Sequence, residues 1–167
     1  MPQLFEFKAR VNNWLHLEKR LQTLNPIFKG TDLQKDTYFN VPDGRLKLRE
    51  GSIENVLIYY HRNNIPNAKQ SDVLLYQHQP EPALKAILTK ALGIKITIKK
   101  SRKIYFIDNV KFHFDEVKDL GKFIEVEAID KDGSIGMEKL KEQCSYFISF
   151  FEIKKDAFIA GSYSDLL

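Results

Sequence analysis

In five consecutive residues, Arg45-Leu46-Lys47-Leu48-Arg49, every odd position is a cation and every even position a leucine. Side chains alternate across a β-strand, so this stretch turns three like charges to one face and two apolar groups to the other. Glu125-Val126-Glu127 repeats the pattern with opposite sign, its carboxylates on one face and Ile124 and Val126 on the other. Lys100 with Arg102, Lys8 with Arg10, and Tyr60 with Arg62 form further same-face pairs. Rows of like charge repel unless opposite charge lies between them. A sheet built of such strands has a charged face to enclose and an apolar face to cover, and it closes most naturally into a barrel or tunnel clad in helices.

The rest of the chain supplies those strands and helices. Strands are expected at 3–10, 35–40, 45–50, 56–62, 71–78, 94–107, 110–117 and 122–129, with Asp43-Gly44 and Asp108-Asn109 as turn signals and 63–70 as a loop. Short turns between consecutive strands argue antiparallel pairing. Three amphipathic helices interrupt them. The first is capped by Asn12 or Asn13, carries Trp14, Leu17, Leu21 and Leu24, and stops at Asn25-Pro26. The second opens at Pro80 and Pro82, carries Leu84, Ile87, Leu88, Ala91 and Leu92, and ends at Gly93. The third starts near Ser134 and carries Met137, Leu140, Cys144, Phe147, Ile148 and Phe151. The expectation is an α+β fold: one domain over residues 1–167, an eight-stranded antiparallel barrel with about three helices outside.

Composition narrows the function classes. At 167 residues and 43% hydrophobic content the chain can bury a sizeable core. No apolar run is long enough to span a bilayer and no charged-then-apolar leader opens the chain, so cytoplasmic residence without a membrane partner is expected. A lone cysteine, Cys144, excludes an internal disulfide and falls on the apolar stripe of the third helix. The net charge of +4 suits a phosphate-bearing ligand. Zinc-knuckle, helix-turn-helix and RNP-like patterns are missing, so a nucleic-acid partner is not expected. Glycine-rich phosphate loops and nucleophilic-serine elbows are missing too.

The charged rows carry the chemistry. Arginine forks pair phosphate oxygens bidentately and lysine acts as a point charge, so cations pointed at one cavity suit a triphosphate. The alternative for each row is a solvated face of an open sheet. Carboxylates Glu6, Asp115, Glu125 and Glu127 suit Mg²⁺ or Mn²⁺, which bind hard oxygen donors and bridge to phosphates; the alternative is salt-bridging to nearby cations. Histidines 16, 61, 78 and 113 show no paired metal spacing, and only His113 shares a strand face with Asp115.

Glu6-Phe7-Lys8 resembles the end of the E-x-E-x-K signature of the CYTH superfamily, the triphosphate tunnel metalloenzymes. Asp36-Thr37-Tyr38-Phe39 with 44–50, Ile98-Lys99-Lys100-Ser101-Arg102, His113-Phe114-Asp115-Glu116-Val117, 120–127 and the tail 162–167 are similar to its later blocks, in the family's order. The last two look most like the class IV adenylyl cyclase branch. The resemblance implies an eight-stranded tunnel, phosphate contacts from Lys8, Lys47, Arg49, Arg62, Lys100 and Arg102, and Mg²⁺ or Mn²⁺ on Glu6, Asp115, Glu125 and Glu127. It names no catalytic base. It leaves a homodimer open, although no exposed apolar seam in the sequence demands one. One departure stands out: the family's first signature glutamate falls at Leu4, which cannot ligate a metal. Either the strand register is offset there or one metal position is lost.

Three functions follow from this reading. The first is cyclisation of ATP to cyclic AMP and pyrophosphate. The second is hydrolysis of inorganic triphosphate, thiamine triphosphate or a nucleotide. The third is a module that binds triphosphate or polyphosphate without turnover, for which Leu4 is the best support.

Overall fold

The computed structural model describes residues 2–61 and 67–167. Eight strands form one closed, wholly antiparallel barrel in the order β1-β5-β4-β3-β2-β6-β7-β8. They are β1 (Gln3–Val11), β2 (Ile27–Phe39), β3 (Arg45–Gly51), β4 (Asn55–His61), β5 (Lys69–Gln77), β6 (Ile94–Ile107), β7 (Val110–Val117) and β8 (Gly121–Asp130). Pairing of β1 with β8, from Gln3 against Asp130 to Val11 against Lys122, closes the ring. Helices α1 (Leu15–Gln22), α2 (Pro82–Leu92) and α3 (Met137–Phe150) lie outside it. The expected α+β barrel with three helices is the fold observed.

The inverted alternation is what closes the sheet. Even-numbered residues of β7 and β8 point outward, where Phe112, Phe114, Ile124 and Val126 meet Leu17 and Leu21 of α1 and Leu140, Cys144 and Phe147 of α3. This outer layer is the main core, and Phe7, Phe112, Phe114 and Leu140 in it are fully buried. Cys144 is part of it, its thiol pushed up to about 12 by burial, and it behaves as a packing residue. The stripe of α2 packs differently from expectation: none of its residues is buried and Ile87 is 63% exposed.

Element boundaries shift for identifiable reasons. β2 begins at Ile27 rather than near 35, because its first half pairs with β6 across a bulge at Phe28/Gly30 that breaks the two-residue alternation. α3 begins at Met137 rather than at Ser134, since Asp130 accepts from the backbone of Gly133 and Gly136 and holds the chain in a turn there. The N-cap of α1 is Trp14, with no side-chain cap bond, rather than Asn12 or Asn13; Asn13 Oδ1 accepts from Leu15 N at 3.0 Å from the position before it. Gly51 is required where it stands, because a Cβ would come within 2.8 Å of both carboxylate oxygens of Asp32. Those oxygens accept from Ile53 N, Glu54 N and Ser52 Oγ, and so fix the β3–β4 turn. The expected loop residues 63–66, and Arg62, lie outside the described residues.

Candidate active site

The barrel encloses a cavity of about 220 Å³. Lys8, Lys47, Arg49, Lys100, Arg102 and Lys111 line it together with Glu6, Glu54, Glu125 and Glu127. Five of the six cations expected to meet phosphate therefore share one chamber, the sixth being the undescribed Arg62. Leu4 lines the same chamber as Glu6 and Lys8. The strand register is not offset, and an aliphatic side chain occupies the position where the family's first glutamate falls.

Asp36 organises the cationic wall. Its two oxygens accept from Arg49 Nε and Nη2 at 2.9 and 2.8 Å, Lys100 Nζ adds a bond of 2.8 Å, and Lys47 Nζ stands at 3.7 Å. Burial would raise the Asp36 carboxyl; Arg49, Lys100 and Lys47 reverse this and hold it well below the usual carboxylate range. Asp115 does the same for Arg102, accepting from Nε and Nη2 at 2.8 and 2.7 Å. The cation rows are thus held together without a ligand by the protein's own carboxylates. One buried anion shared by three cations still leaves that wall electropositive.

The opposite wall joins β7 and β8. His113 Nδ1 lies 3.2 Å from Glu125 Oε1 and 3.9 Å from Glu127 Oε1, and the three groups offer donor atoms within 4.8 Å of one another. Burial and the neighbouring Glu125 push the Glu127 carboxyl up to about 7. Burial also lowers His113 to about 3, helped by Arg102, so the imidazole is neutral. Its Nε2 is buried and has no hydrogen-bond partner among the described residues. Glu125 is held low, burial notwithstanding, chiefly by Lys8 at 2.9 Å. A neutral imidazole and two converging carboxyls make a fitting donor set for a dication. Cis donors around such an ion stand about 3 Å apart when each bond is about 2.1 Å.

The expected metal ligands thus separate. Glu125 and Glu127 converge, and Glu6 stands directly across the β1–β8 pair from Glu127. Both Asp115 oxygens are engaged by Arg102 and by the Tyr163 hydroxyl, which donates at 2.7 Å. His113, rather than Asp115, completes the cluster.

The tail seals one end of the tunnel. Ile159 N donates to Lys8 O as the chain returns across β1. A single 3-10 turn, Tyr163–Asp165, then caps itself through Ser162 and Asp165. Arg45 holds Asp165 at 2.7 Å, and the Tyr163 ring packs on Phe123 with centroids 4.8 Å apart. Lys8 Nζ lies 4.0 Å from the Tyr163 centroid and Lys100 Nζ 5.2 Å. Tyr163 is the floor of the chamber.

Sequence reasoning missed Asp36 as the anion of the cation wall, and it missed Glu54 and Lys111. Lys111 has the strand parity of His113 and Asp115 and was open to the same argument. Glu54 sits in a turn, where no periodicity marks it. The Asp32 cage, with Gln34 Nε2 donating to Glu54 Oε1 at 3.1 Å, turns it inward to pair with Lys111 and with Arg49 at 3.6 Å.

The CYTH domain model matches residues 3–155, and the chain belongs to that family. A Methanocaldococcus jannaschii protein named "Putative adenylate cyclase" is 26% identical over 171 residues, covering 96% of each chain. The fold is similar to the PH1012 protein of Pyrococcus horikoshii, with a TM-score of 0.82, 23% identity, and 98% and 99% of the two chains covered. It is also similar to a Hippeastrum protein described as a "putative adenylyl cyclase" with a dominant triphosphatase activity. That match has a TM-score of 0.62 at 14% identity and covers 99% and 93%. Among the described residues no helix is long and apolar enough to cross a membrane.

Proposed function

We propose that this chain is a metal-dependent enzyme that binds ATP by its triphosphate inside the tunnel and cyclises it to cyclic AMP and pyrophosphate. One observation carries the reading: the cation wall and the His113–Glu125–Glu127 donor cluster line one chamber. Lys8 and Lys100 stand over the Tyr163 floor. Along β8, Phe123 packs on that floor, Glu125 follows and Glu127 lies two residues further toward the mouth, a step of about 7 Å. Terminal phosphates drawn onto Lys47, Arg49 and Lys100 would leave the α-phosphate on the side of His113, Glu125 and Glu127. Mg²⁺ or Mn²⁺ held there, with Glu6 beside it, would supply Lewis-acid polarisation of the phosphoryl oxygens.

The chain's own residues then have defined tasks. Lys8, Lys47, Arg49, Lys100 and Arg102 orient the triphosphate and stabilise charge on the departing pyrophosphate as the ribose 3′-oxygen bonds to the α-phosphorus. Asp36 and Asp115 keep the arginine forks aimed, so little reorganisation accompanies the reaction. Purified protein incubated with ATP and Mn²⁺ should yield cyclic AMP and pyrophosphate on chromatography; absence of a cyclic product at every pH would overturn the reading. Hydrolysis in the same tunnel is the second reading, supported by the triphosphatase activity described for the Hippeastrum protein. Orthophosphate release without pyrophosphate would favour it.

A further inference from the structure

The inner wall of the barrel changes character between β3 and β4. Register sets the cations Arg49 and Lys47 of β3 beside Val56 and Ile58 of β4. On β5, Leu75 lies beside Ile58 and Val73 beside Tyr60. Leu4 and Ile129 pair across the β1–β8 closure. Val56, Ile58, Val73, Leu75, Leu4 and Ile129 all line the chamber. Ile58 and Val73, with Leu4 and Val56, form an apolar cluster separate from the core beneath α1 and α3. Pairing of β5 with β1 stops at Asp72, so the second half of β5 runs past the barrel closure and Leu75 is 57% exposed at the mouth.

An aliphatic surface facing a charged, water-accessible chamber is unfavourable until something apolar covers it. A bare polyphosphate gains nothing there, because its oxygens would lose water against side chains that offer no hydrogen bonds. Ser71 is set into the same surface next to Leu4 in register. It is 2% exposed, and its hydroxyl has no hydrogen-bond partner among the described residues. Buried hydroxyls without partners are rare and point to an absent one.

We infer that this wall is a subsite for the organic part of the substrate, a flat heteroaromatic ring that covers the aliphatic side chains and takes one hydrogen bond from Ser71. The inference rests on the triphosphate reading above and narrows it to organic triphosphates, with inorganic triphosphate disfavoured. Leu4 belongs to this subsite, which accounts for an aliphatic residue where the family's signature has a carboxylate.

Calorimetric titration of the full chain, without added metal, with inorganic triphosphate, ribose 5-triphosphate and ATP tests it. ATP should bind roughly tenfold or more tightly than either probe that lacks the base. Val73→Thr and Leu4→Asn should each reduce that advantage and leave inorganic triphosphate binding unchanged. Ser71→Ala should weaken ATP alone by about fivefold, the effect of one neutral hydrogen bond. Equal affinity for all three probes would overturn the subsite and leave the triphosphate site standing. Failure of all three to bind would overturn the triphosphate site and the subsite with it. Because the principal comparison uses the unaltered chain, it does not depend on any variant folding.

Discussion

The two charged walls of the tunnel solve the same electrostatic problem in opposite ways. On the β2/β3/β6 side, Asp36 meets every cation near it with bonds of 2.8–2.9 Å, apart from the looser Lys47. On the β7/β8 side, burial and Glu125 push the Glu127 carboxyl up to about 7, and His113 Nε2 has no partner among the described residues. The first wall is complete before any ligand arrives; the second keeps a raised carboxyl and a buried imidazole nitrogen without a partner among the described residues. Buried charge is tolerable only when paired. Damage to the first wall should therefore appear in folding, and damage to the second in binding.

Asp36→Ala is the most severe way to break this contrast. It strands Arg49, Lys100 and Lys47 without their shared anion, and losing one member of a buried ionic cluster costs on the order of 3–5 kcal/mol. Denaturant unfolding should register that loss, and inorganic triphosphate should restore part of it by occupying the same cations. Restoration by chloride at equal ionic strength would instead show a general charge effect.

Acid should act through the same residue. Asp36 has a folded-state value far below the ordinary aspartate value near 3.9. Its contribution is therefore full above about pH 4 and lost as pH falls toward the folded value. Asp115, lowered to about 2 by Arg102 against the opposing effect of burial, adds a second such term. Unfolding midpoints at pH 7 and pH 3 should differ strongly in the natural chain and less in Asp36→Asn. An unchanged difference would mean that Asp36 does not carry the acid sensitivity.

The second wall predicts the reverse pattern. Glu125→Gln should reduce Mn²⁺ affinity roughly 100-fold or more, since even changes to groups behind a ligand cost 10–100-fold. His113→Asn should weaken Mn²⁺ by roughly tenfold. Lys47→Ala should weaken triphosphate and leave Mn²⁺ alone. Manganese titration followed by electron paramagnetic resonance separates these outcomes without any turnover. If His113→Asn leaves the signal intact, the imidazole is not a ligand and the two carboxylates, with Glu6, hold the ion by themselves.

What the sequence disclosed follows the same division. Strand parity exposed Lys8, Lys47, Arg49, Lys100, Arg102, Glu125 and Glu127, because a two-residue period survives any choice of neighbouring strand. It could not expose which charges meet, since Asp36 is far from Lys100 along the chain and is brought to it only by the barrel order. Asp115 and His113 share a face, yet only the packing of Arg102 and Tyr163 decides that Asp115 is spoken for. α2 shows the converse failure: a clean apolar stripe at helical spacing, none of whose residues is buried.

Tyr163→Phe offers the mildest test, at the join between the two walls. The hydroxyl donates to Asp115, which also carries Arg102 and sits one alternation from His113. Removing it costs one hydrogen bond to a charged acceptor, about 1.5–3 kcal/mol at most. Because both oxygens of Asp115 keep their bonds to Arg102, the loss should fall at or below the lower end, near 1 kcal/mol. The ring stays on Phe123 and beneath Lys8, so Mn²⁺ and triphosphate affinities should barely change. A stability loss well above 3 kcal/mol would mean that the tail, rather than Arg102, holds Asp115 in place. The closed end would then depend on the last turn of the chain as much as on the barrel itself.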